Sequence, residues 1–121
     1  MDLKTYQKEA KRTLPELSTQ TDDINHMLLG MLTEIGELAD IFKKNQAYGK
    51  EIDWINASEE VADIMWYLVN FCSITGINLE SALNRNIEKL KARYPDKFSS
   101  EKALNRDLQK ERDILEGGSN V

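Results

Sequence analysis

Cysteine is almost missing: Cys72 is the only one in 121 residues. That excludes a disulfide framework and any zinc site built from cysteines, and a reducing compartment fits best. Histidine is as scarce, with His26 alone. Valine occurs three times, at Val61, Val69 and Val121, while Leu, Ala, Glu, Lys, Asp and Asn are plentiful. Such a balance favours helix over sheet. No apolar run approaches membrane-spanning length, and the opening "MDLKTYQKEAKR" has no apolar core of the signal-peptide kind. The expectation is a soluble, cytoplasmic protein that neither crosses nor anchors in a membrane. One-sided charge is also lacking. Acids and bases are interleaved to a formal net charge of −5, which argues against a partner such as a nucleic-acid polymer but leaves room for a small anion held by a local basic cluster. The length suits one compact domain, placed at residues 1–116, with 117–121 as a flexible tail.

What is present reads as helix. A first segment runs from about Asp2 to Thr13 and stops before Pro15. A second, from about Ile24 to Lys44, has Asp22 or Asp23 as N-cap, and its last turn carries Lys43 and Lys44, which suit the negative end of the helix dipole. Its apolar residues form one stripe: Ile24, Met27, Leu28, Met31, Leu32, Ile35, Leu38, Ala39 and Phe42. After a loop, "NQAYGKEIDWI", the stretch "NASE" from Asn56 resembles a capping box for a third helix. Gly76 ends that helix and Asn78 starts a fourth, which runs to about Arg93 before Pro95. "SEKALNRDLQKERDILE" completes the series as one charged helix. The expected fold class is all-α: a four-helix-bundle-type core with a C-terminal helical extension.

The third helix, "EEVADIMWYLVNFC", poses the functional question. At roughly 100° per residue its apolar side chains occupy most of the circumference, so it is buried on several sides, against its own chain and a second subunit. Yet Glu60 falls between Tyr67 and Phe71, and Asp63 beside Ile74. The second helix has a matching pair, Glu34 and Glu37, on the border of its stripe. Residues three apart are helix neighbours, so each helix presents two carboxylates on one edge, and antiparallel packing brings all four together. Four unpaired carboxylates at a low-dielectric site cannot all stay ionised. A hard divalent cation resolves the conflict, since Mg²⁺ and Mn²⁺ prefer oxygen ligands. Against this stands the plainer reading, in which a Glu three residues from another acid is a solvated helix face. A di-iron centre is disfavoured because His26 is not three residues from any of these acids. On the fourth helix Asn86, Lys89 and Arg93 share one edge beside a core stripe of Leu79, Leu83, Ile87 and Leu90. An amide and two cations there suit phosphate oxygens. Trp54, Trp66, Tyr48 and Tyr67 are each able to stack on a base, or to serve as core or interface.

The pattern Glu34-x-x-Glu37 followed by Glu60-x-x-Asp63 resembles the E-x-x-E…E-x-x-D signature of the all-α nucleoside triphosphate pyrophosphohydrolases, the MazG-like group. "LTEIGELADIFKK", "EEVADIMWYLVNFCSITGINLESAL" and "NIEKLKARYPDKFS" are similar to segments of that family, in the expected order, and the single domain resembles its short, stand-alone branch. The resemblance implies a Mg²⁺-dependent hydrolase, with Mn²⁺ as a substitute, that cuts a (deoxy)nucleoside triphosphate between the α- and β-phosphates. Glu34, Glu37, Glu60 and Asp63 would be metal ligands and the catalytic set; Asn86, Lys89 and Arg93, with Lys44, would contact phosphate. A homodimer or homotetramer is expected. Two alternatives stay open: a hydrolase selective for dUTP, dCTP or an alarmone, and a non-catalytic helical oligomerisation module.

Overall fold

Asp2 opens the first helix, α1 (Leu3–Lys11), by accepting the Thr5 amide at 2.7 Å. The computed structural model describes residues 1–117. Of the expected flexible tail, Gly117 caps the last helix and residues 118–121 lie outside the described residues. Among the described residues there are six helices and no strand, so the all-α expectation holds. Two compact units divide the chain, residues 1–75 and the part from Gly76 onward.

The first unit is built on α2 (Gln20–Tyr48) and α3 (Trp54–Thr75). Helix α2 begins four residues before the expected start, because Thr19 and not Asp22 or Asp23 is the cap: the Thr19 hydroxyl accepts the Asp22 amide at 3.1 Å. Asp23 is used elsewhere, accepting the Leu17 amide. Nor does the helix stop at Lys43-Lys44. It continues to Tyr48 and ends at Gly49, whose φ of +68° is left-handed and open to glycine without strain. Helix α3 also starts early. Asp53 takes the amides of Ile55 and Asn56, at 3.1 and 3.0 Å, so the expected Asn56 cap is already inside the helix.

Contacts between Gln20 and Ile74, Gly30 and Tyr67, and Phe42 and Trp54 run in opposite chain directions, so α2 and α3 are antiparallel. Gly30 is required at its crossing: the Tyr67 ring lies against the α2 backbone where any β-carbon would stand. The face of α2 turned inward carries Met27, Gly30, Glu34, Leu38 and Ile41. The single apolar stripe read from the sequence is in fact two faces. Leu28, Leu32, Ile35 and Ala39 are exposed, with Leu32 at 66%, while Phe42, 41% exposed, packs edge-on against Trp54 at the start of α3. Helix α1 lies on α3 with Ala10 buried and Gln7 donating to Ser73 Oγ at 3.0 Å, and just after the helix Thr13 Oγ1 accepts the Trp66 indole at 2.9 Å.

In the second unit α4 (Leu79–Arg93) starts at Asn78, which accepts the Ser81 amide, just after left-handed Gly76. Both ends agree with the sequence reading. Leu79 is buried, but Leu83 and Ile87 remain about half exposed, so the expected core stripe is covered only in part. The charged segment is two helices and not one, α5 (Ser100–Leu104) and α6 (Leu108–Glu116). Asp107 caps α6 by accepting the Lys110 amide, and Arg106 leaves the helical path to reach Glu111. Of the unit's helices, α6 packs on α4.

Candidate active site and metal centre

Glu34 sits in the middle of the inward face of α2, one turn from Gly30, and Glu60 faces it from α3. Each carboxylate sits between residues one turn away that are buried or partly buried, Gly30 and Leu38 on α2 and Asn56 and Ile64 on α3. Glu37 follows one turn after Glu34 at the edge of the pair. One carboxylate oxygen from each of Glu34, Glu37 and Glu60 lies within 4.8 Å of the other two. Glu60 Oε2 and Glu34 Oε2 are both buried with no hydrogen-bond donor. Two orphan acceptors facing like charges are costly in a low-dielectric interior. The consequence shows on Glu60, whose carboxyl is pushed up to about 7 because only a retained proton lets it hydrogen-bond to Glu34, then by burial, then by the charge of Glu37. Only hard oxygen donors are present, two of them orphaned, and they fit a divalent Mg²⁺- or Mn²⁺-type cation that would supply the missing positive charge.

Asp63 stands apart from this group of three. It lies one turn after Glu60 and is rotated about 60° around α3, where it is half buried and near Tyr6, whose phenol is raised by burial first and then by the charge of Asp63. Lys44 is near the acids, in a cavity of about 780 Å³ that also takes in Glu37, Glu60, Asp40 and Lys50. Its ammonium pairs with Asp40 at 2.7 Å, which holds the Asp40 carboxyl below its ordinary value and raises the lysine.

The α4 residues differ among themselves. Asn86 is exposed and Lys89 half buried. Arg93 is already engaged: its Nε donates to Glu111 Oε1 at 2.8 Å, its Nη2 reaches the same oxygen, and its side chain is only 15% exposed. Of the aromatic candidates, Trp66 packs edge-on against Tyr67, which itself rests on Gly30, so both belong to the interior of the first unit. Trp54 and Tyr48 are exposed.

Lys50 escaped the sequence reading. Its loop has ordinary composition, and the signal that finds it is the left-handed glycine before it, which turns the chain back towards the cavity.

Among curated proteins and among solved structures, none matches this chain. Residues 22–98, more than half of the 121, match the family profile of the MazG nucleotide pyrophosphohydrolase domain. That stretch contains α3 and α4 whole, nearly all of α2, and Glu34, Glu37, Lys44, Lys50, Glu60, Asp63, Asn86, Lys89 and Arg93. The chain belongs to the MazG nucleotide pyrophosphohydrolase domain family.

Proposed function

We propose that this protein is a Mg²⁺-dependent nucleoside triphosphate pyrophosphohydrolase, acting in the cytoplasm on the nucleotide pool, with residues 1–116 working as one domain. Water attacks the α-phosphorus, the α–β anhydride bond breaks, and the products are a nucleoside monophosphate and pyrophosphate. The observation that carries this reading is the group of Glu34, Glu37 and Glu60 with two orphaned buried oxygens, opening into a cavity that also holds a lysine. A cavity of about 780 Å³ is in the range that accepts a nucleotide-sized ligand.

Glu34, Glu37 and Glu60, with Asp63, hold the cation, which Mn²⁺ can replace. When bound, it offsets the charge of the triphosphate and acidifies the attacking water. A carboxylate of the set accepts the water's proton. Lys44 faces the phosphates, and the family pattern adds Asn86, Lys89 and Arg93 to that role. Leu28, Leu32, Ile35 and Ala39, uncovered along α2, support a homodimer or homotetramer, because a contiguous apolar face of this kind is rarely left in water.

The test is a panel of canonical and modified nucleoside triphosphates with Mg²⁺, resolved by product. Monophosphate with pyrophosphate is expected. Release of orthophosphate with a diphosphate from every nucleotide would refute the assignment of the bond.

A further inference from the structure

The cavity beside the carboxylate group is acidic over most of its wall. Glu37, Asp40, Glu51, Asp53 and Glu60 face two lysines, Lys44 and Lys50. Most of these charges are already committed. Asp53 caps α3, Asp40 holds Lys44, and Glu37 and Glu60 belong to the three-carboxylate group. Lys50 is different. Its charge reaches Asp40, but among the described residues its ammonium forms no ion pair. Its backbone, by contrast, is pinned: the carbonyl accepts from Asn45 Nδ2 at 2.9 Å, and the amide follows left-handed Gly49. A fixed backbone with an uncommitted ammonium on a cavity wall is the arrangement that receives an anion without paying for a broken salt bridge.

We infer that Lys50 is a substrate-contact residue for the terminal phosphates of a nucleoside triphosphate, the part that leaves as pyrophosphate. This rests on the hydrolase reading and extends it to a residue of the α2–α3 loop. The carboxylate group gathers positive charge at one part of the cavity and Lys50 supplies it at the loop, so the polyanion is held at two points. Lys44 is the weaker candidate for the loop-side contact, because an arriving phosphate must displace Asp40.

The test uses the full chain with Mg²⁺ and inorganic pyrophosphate as probe, followed by calorimetric titration. Lys50→Met weakens pyrophosphate binding roughly tenfold, the scale of one charge-assisted hydrogen bond, and Lys50→Arg restores most of it. Lys43→Met, which removes the same charge from an exposed position near Asp40 but off the cavity wall, leaves binding unchanged. With a triphosphate that the wild type hydrolyses, Lys50→Met raises KM by about the same factor with kcat within about twofold, the signature of lost binding common to ground and transition states. Stabilisation by Mg²⁺ alone stays at the wild-type level. Wild-type protein that binds no pyrophosphate, a Lys50→Met variant that binds it as the wild type does, or an equal loss in Lys43→Met each overturns the assignment. Wild-type protein that binds pyrophosphate through Lys50 yet hydrolyses no triphosphate overturns the hydrolase reading and leaves this contact standing.

Discussion

Glu60 in the first unit and Glu111 in the second are both buried, 7% and 4% exposed, and they have opposite surroundings. Around Glu111 the chain supplies everything a buried carboxylate needs. Arg93 holds Oε1, Arg106 donates to Oε2 at 2.9 Å, and the carboxyl is held below its ordinary value by Arg106 first and then, against the effect of burial, by Arg93. Around Glu60 the chain supplies Glu34 and Glu37, leaves Oε2 without a donor, and the carboxyl rises to about 7. One buried acid is complete within the chain. The other has no positive partner among its neighbours, and it answers by holding its proton up to about 7; in the proposed reading a bound cation supplies that charge instead. Burial of a carboxylate therefore says little about function until its partners are counted.

The contrast breaks most sharply on activity. Glu60→Gln keeps the shape of the side chain and removes its charge, and kcat/KM should fall by more than about 100-fold, because even outer-shell changes at metal sites cost 10- to 100-fold. Steady-state pyrophosphate release measures it, and wild-type turnover would remove Glu60 from the catalytic set. Next in size is the stability of the second unit. Arg93→Ala leaves a buried carboxylate with one partner fewer, so the melting temperature should drop clearly, and Glu111→Gln should lower it as well. An Arg93→Ala variant with unchanged melting temperature and a raised KM would assign Arg93 to phosphate alone. Gly30→Ala is smaller. The Tyr67 ring must move, at about 1–3 kcal/mol of overpacking, read in a denaturant melt.

The smallest effect is the pH trend, and it has opposite signs at the two glutamates. Glu60's folded value lies above its ordinary 4.5, so its contribution is full below about 4.5 and is lost as pH rises through about 7. Metal-free protein should melt lower at pH 8 than at pH 5, and Glu60→Gln should flatten that slope. Glu111's folded value lies below 4.5, so its contribution is present above that value and is lost as pH falls. Glu111→Gln should change the acid limb and leave the slope between pH 5 and 8 alone.

The sequence carried those features that depend on near neighbours. Gly76 and Asn78 were legible as a stop and a start, because each acts on backbone within four residues of itself. Glu34 with Glu37 and Glu60 with Asp63 were legible as pairs for the same reason, since the helix sets the three-residue spacing. The cap of α2 was misread because Thr19, Asp22 and Asp23 are all good caps, and the choice between them depends on the loop, where Asp23 is taken by Leu17. Long-range partners were not legible. Arg93 has the look of a free surface cation in sequence, and its partner lies 18 residues away on a helix that also needs the break at Arg106. The two faces of α2 likewise depend on which side α3 chooses, and that choice follows from Gly30 admitting Tyr67. Asp63 joins the other acids through its spacing and the family pattern, and that it lies near Tyr6, outside the group of three, depends on how α1 packs on α3.

Thermal melts of wild type, Glu37→Gln and Glu60→Gln, each with and without Mg²⁺, test the central claim most directly. A cation that binds only the folded protein stabilises it by about 2.7 kcal/mol at ~100 times its Kd. The wild type should show a rise of that order. At pH 8, above the Glu60 value of about 7, both variants should melt at or above the wild type without metal, since each loses one repelling charge, and should gain far less when metal is added. Glutamine variants that respond to Mg²⁺ as the wild type does, and melt below it in the absence of metal, would contradict the assignment of this carboxylate group as a cation site.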